Sequence, residues 1–167
     1  MLYKIFNGPM PTTASQVAVT TGTAIKTLLQ VKGVTAVLTK VYAWGISFDG
    51  AAAAAGINVE LCETGTVFGT VTASAAADIT KFNSPNAPTS TTYWSVGTAA
   101  TGYTCTAEGS ITAVRQFDCH LIQPTGDYAW HFPLGTEPVV DAVSALRIRV
   151  KAAAAVNAIC WILMGPE

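Results

Sequence analysis

Apolar and polar positions alternate with a period of two along several short stretches, the pattern of strands that bury one face. The cleanest is residues 145–151, with Leu146, Ile148 and Val150 turned inward and Arg147, Arg149 and Lys151 outward. Residues 37–48 set Leu38, Tyr42, Trp44, Ile46 and Phe48 on one side. The other side holds the small Thr39, Ala43, Gly45 and Ser47, which lets a neighbour approach closely. In residues 57–62, Val59 and Leu61 oppose Asn58 and Glu60. Residues 111–122 place Ile111, Ala113, Arg115, Phe117, Cys119 and Leu121 on one face, and Thr112, Gln116, Asp118 and His120 on the other. Residues 24–32, 66–72 and 128–132 also read as strands. Residues 156–163 are apolar on both faces, as a covered strand would be.

Turn residues separate these runs, among them Asp49-Gly50, Glu63-Thr64-Gly65 and Gln123-Pro124-Thr125-Gly126. The alanine runs at residues 51–55 and 152–155 are too short for a stable helix and read as loops or single turns. The pattern predicts an all-β chain, an antiparallel, jelly-roll-like β-sandwich of eight to ten strands, forming a single domain over residues 1–167. Two segments stand outside the alternation. Residues 1–16, with Gly8, Pro9 and Pro11, read as an N-terminal arm. Residues 73–104, broken by Ser84-Pro85-Asn86-Ala87-Pro88, Gly97 and Gly102, read as one long central loop excursion, and loops of that length are usually functional.

Composition narrows the function classes. Charged residues make up only 11% of the chain, against about 25% in an ordinary soluble protein. The net charge is −1, so nothing steers the chain toward nucleic acid. A weakly charged folded surface suits a subunit of a larger assembly. No apolar run reaches the ~18–20 residues of a membrane helix, since residues 152–164 are interrupted by Asn157, and residues 1–11 lack the pattern of a signal peptide. We therefore expect neither nucleic acid nor membrane as partner.

Candidate chemistry is sparse. Asp118 and His120 share a strand face and can pair, but no nucleophile motif accompanies them. His120 and His131 together do not fill a tetrahedral metal shell, and Cys62, Cys105, Cys119 and Cys160 lack zinc-ligand spacing and read as buried free thiols in preference to disulfides, the alternative. No phosphate-binding glycine loop is present. We expect no catalytic, cofactor-binding or metal-binding residues, and hence no enzyme. The stripe Arg147, Arg149, Lys151 is the candidate partner contact; its other reading is a strand face paired with acidic residues of a neighbouring strand. Tyr93, Trp94, Tyr103 and Tyr128 are candidates for stacking on sugars, which makes a carbohydrate-binding module the alternative function.

Four segments carry a resemblance: Tyr42-Ala43-Trp44-Gly45-Ile46-Ser47-Phe48-Asp49-Gly50, Val59-Glu60-Leu61-Cys62-Glu63-Thr64-Gly65, Phe132-Pro133-Leu134-Gly135-Thr136-Glu137-Pro138 and Leu146-Arg147-Ile148-Arg149-Val150. In them the chain resembles small structural proteins of tailed bacteriophages; residues 73–104 fall outside the likeness. The resemblance implies a β-sandwich head decoration (cement) or minor capsid protein on the virion surface. It implies the major capsid protein as partner, a homo-oligomer with a trimer favoured, and no catalytic residues to carry over.

Overall fold

The computed structural model describes residues 1–51 and 54–167, so Ala52 and Ala53 of the first alanine run lie outside the described residues. The strands in chain order are β1 (Tyr3–Phe6), β2 (Val19–Thr20), β3 (Lys26–Val31), β4 (Thr39–Phe48), β5 (Ile57–Thr64), β6 (Thr70–Ala73), β7 (Ile79–Lys81), β8 (Gly102–Ala107), β9 (Ala113–Ile122), β10 (Asp127–His131), β11 (Val139–Val140), β12 (Ala145–Lys151) and β13 (Asn157–Pro166). The only helical pieces described are single 3₁₀ turns at Ala76–Asp78 and Ser90–Thr92. Two antiparallel sheets result. The first runs β10-β4-β13-β1-β7, with β11 added to β4 and β2 to β13; the second runs β6-β8-β3-β12-β5-β9.

The core lies between them, built by the alternation that the sequence displays. Leu146, Ile148 and Val150 of β12 and Ile57, Val59 and Leu61 of β5 face Trp44, Ile46 and Phe48 of β4 and Cys160, Ile162 and Met164 of β13, all buried. Each such side chain withdrawn from water stabilises the fold by about 1.5–3 kcal/mol. Among the described residues no helix is long and apolar enough to cross a membrane.

Two strand faces differ from the alternation read in the sequence, and a β-bulge explains each. In β4 the register slips where Ala43 pairs with Leu163 and Val41 with Met164, leaving Tyr42 as the extra residue. Val41 and Trp44 are therefore both buried, while Tyr42 is displaced from the Trp44 side and only half-buried. In β9 Asp118 pairs with Leu61 and Gln116 with Cys62, so Phe117 is extra. Beyond it Asp118, His120 and Ile122 take the inner side and Leu121 is 76% exposed, the reverse of the expected facing.

Part of the segment read as an N-terminal arm is instead structural, while residues 9–15 are exposed and outside any strand. Its residues Tyr3–Phe6 form β1, inserted between β13 and β7, with Tyr3 and Ile5 fully buried. Asn7 extends the ladder with its side chain: Nδ2 donates to the Ala158 carbonyl and Oδ1 accepts from the Cys160 N–H, both at 2.9 Å. The segment read as an excursion also returns to the sandwich. It contributes β7, and its Trp94 is buried edge-on to Tyr3, with ring centroids 4.8 Å apart, while the indole N–H donates to Thr39 Oγ1 at 3.1 Å. Buried aromatics, rather than alternation, secure this stretch.

Candidate docking surface

The basic stripe of β12 is not a surface. Arg147 lies on the side of the second sheet away from the core, yet it is fully buried, because residues 65–69 and the end of β8 cover it. Its Nε donates to Thr64 Oγ1 at 2.8 Å, Nη1 to Thr27 Oγ1 at 3.1 Å and Nη2 to the Val67 carbonyl at 3.2 Å. The Glu108 carboxylate stands 3.7 Å away and also accepts from the Thr27 hydroxyl. Burial lowers the Arg147 pKa and the Glu108 charge opposes that shift. Arg147 does face away from the core, but the expectation that it offers a partner contact is corrected: Thr64, Thr27, the Val67 carbonyl and Glu108 of its own chain engage it. Arg149 is bound to Glu60 of β5 at 2.6 Å, the acidic-neighbour reading of the stripe. Only Lys151 is exposed.

The Asp118–His120 pair does form, with His120 Nε2 2.8 Å from Asp118 Oδ1. Asp118 Oδ2 accepts two further bonds, from Trp44 Nε1 at 3.1 Å and from the Tyr128 hydroxyl at 2.9 Å. The His120 and Tyr128 rings are 3.9 Å apart. Asp118 and His120 stand on β9 at the edge of the second sheet, and Trp44 and Tyr128 on β4 and β10 of the first, so this carboxylate clasps the two layers. Burial, then the bond to Asp118 and its charge, push the Tyr128 pKa up and keep the phenol a donor. Reading the sequence finds the pair but misses both aromatic donors, which come from the opposite sheet. The described residues include no group of three His, Cys, Asp or Glu side chains arranged to hold a metal ion. All four cysteines are free; Cys62, Cys105 and Cys160 are buried and Cys119 exposed.

Nor do Tyr93, Trp94, Tyr103 and Tyr128 share an exposed platform. Trp94 is buried, Tyr93 packs on it and on Tyr3, Tyr103 is half-buried on β8, and Tyr128 belongs to the clasp.

The other sheet has a solvent-facing side of distinctive composition. Register sets Phe6, Trp161, Gly45 and Ala129 in one row across β1, β13, β4 and β10. The next row is Lys4, Leu163, Ala43 and His131, and a third holds Ile159, Ser47 and Asp127. Sequence alternation identified Ala43, Gly45 and Ser47 as a small side, and the structure shows what lies there. The Trp161 indole is laid over Gly45 so closely that a Cβ at that position would come within 2.8 Å of it. Lys4 Nζ sits 4.0 Å from the Trp161 ring centroid, 5.0 Å from that of Phe6 and 6.0 Å from that of the 57%-exposed Phe82. Where Arg147 on the outer side of the second sheet is buried under residues 65–69, this side presents Phe6, Phe82, Trp161, Ala129 and His131 to water.

Comparison with protein families, with curated proteins and with solved structures finds no match.

Proposed function

We propose that the chain is a structural protein of a tailed-phage virion that docks on the major capsid protein and reinforces the coat lattice, acting by binding and not by catalysis. The observation that carries this reading is the solvent-facing side of the first sheet, where Phe6, Phe82 and Trp161 reach water beside few charges. Interfaces concentrate aromatic residues at their centre and deplete charge there. The low charge of the whole chain, 11% of residues, fits dense packing of many copies. The resemblance of four segments to phage structural proteins points the same way. Many copies on one shell, as trimers or as single subunits, each need only modest contact energy, since avidity multiplies it.

The test is to purify particles of the phage that encodes the chain and quantify the chain against the coat protein. The expected result is a fixed ratio set by the lattice, with particles lacking the chain losing resistance to heat or low salt. Particles that contain none of it, and that do not take it up when it is added, overturn the reading.

A further inference from the structure

We propose that Lys4, framed by Phe6, Phe82 and Trp161, is the point at which the first sheet receives an aspartate or glutamate side chain of the coat subunit it docks on. This inference rests on the virion reading and adds to it the chemistry of the contact.

Lys4 is singular in its surroundings. Lys26, Lys32 and Lys81 each donate to a backbone carbonyl, Lys40 pairs with Glu167, and Arg115, Arg147 and Arg149 all meet carboxylates. Among the described residues two cations, Lys4 and Lys151, meet no oxygen, and Lys151 stands exposed in water. Lys4 is half-buried and faces only rings. Burial lowers its pKa, so its ammonium has lost hydration that the rings only partly replace. A carboxylate arriving from outside supplies the missing counter-charge while Phe6, Phe82 and Trp161 pack against its stem. Of the acids on this side, Glu167 is taken by Lys40 at 3.2 Å, and Asp127 lies two rows away at the far strand.

The surrounding chemistry favours a protein surface over an acidic sugar. A sugar ring needs a fan of polar partners for its hydroxyls, whereas Ala43, Gly45, Ala129 and Leu163 offer none from their side chains. Aromatic anchors such as Trp161 are enriched in protein–protein hot spots.

The test uses the full chain and particles of its phage. Carbodiimide activates a carboxylate; the Lys4 amine then attacks the acyl carbon, an amide forms, and the carbodiimide leaves as its urea. Mass spectrometry is expected to find Lys4 joined to an Asp or Glu of the major capsid protein. Lys4→Gln is expected to weaken retention on particles about tenfold or more, as loss of one partner of a desolvated pair does. Lys4→Arg keeps retention, and both variants melt like the parent. Wild-type chain that never associates with particles overturns both readings. Wild-type chain that associates while Lys4→Gln is retained equally well overturns this inference alone, as does a Lys4 cross-link found only to Asp127 of a second copy.

Discussion

At the scale of single residues, truncation costs most where it leaves a buried charge or polar group without its partner. Arg147 sends three donor bonds to three separate places: Thr64 on β5, Thr27 on β3 and the Val67 carbonyl in the covering loop. Truncating it leaves Glu108 without its nearby cation and these oxygens without donors. Arg147→Ala is therefore expected to cost about 3–5 kcal/mol, as breaking a buried ion pair does. Arg147→Lys recovers only part, because a single ammonium cannot span three acceptors held in a fork. Urea denaturation measures both; a loss under 1 kcal/mol for the alanine variant would show that the loop over Arg147 opens freely. From the sequence this residue looks outward-facing, since alternation counts sides of a strand and says nothing about what covers each side.

At the scale of elements, β1 decides whether β7 is tied to the rest of the first sheet. It joins β13 to β7, and the side chain of Asn7 continues its hydrogen bonding onto Ala158 and Cys160. A leucine at this position has similar size but no amide. Asn7→Leu thus strands a buried carbonyl and a buried N–H, at an expected cost of about 2 kcal/mol or more. Deletion of residues 1–8 is expected to leave no soluble folded protein. Circular dichroism and urea titration check both; a truncated chain as stable as the parent would return this segment to the status of a dispensable arm. The reason the sequence points to an arm is local. Gly8, Pro9 and Pro11 break the pattern, and a four-residue strand is too short to announce itself by periodicity. The bulges at Tyr42 and Phe117 are equally silent, because one extra residue matters only relative to the partner strand.

At the scale of the whole molecule, the two layers share one core, and their buried thiols titrate against the fold. Burial raises Cys105 to about 11 and Cys62 to about 12 from an ordinary 9.0, and Cys160 is raised further. Below pH 9 folded and unfolded chains hold the same thiol protons, so these groups leave stability unchanged. Above it the unfolded chain releases protons that the folded chain keeps, and the balance moves toward unfolding until the folded thiols ionise. Tyr128, also raised, acts in the same direction, whereas the lowered Lys4 opposes it with a single group. The urea midpoint is therefore expected to fall steadily from pH 9 to 11; a midpoint that holds or rises over that range would mean the thiols are open to solvent.

The chain by itself determines the fold class. Period-two alternation in residues 57–62 and 145–151, with turn residues between runs, can bury apolar side chains only as strands stacked in two layers. The small side of β4 and the Asp118–His120 pair are legible for the same reason, since both depend on neighbours along one strand. The rest depends on residues far apart in sequence. Thr27 and Arg147 are 120 positions apart and Trp44 and Asp118 are 74 apart, and no local pattern records that they meet. Only tertiary packing, which covers one side of a strand and leaves another to water, decided that Arg147 is a buried brace and that Lys4, inside a supposed arm, stands among three rings on an open sheet.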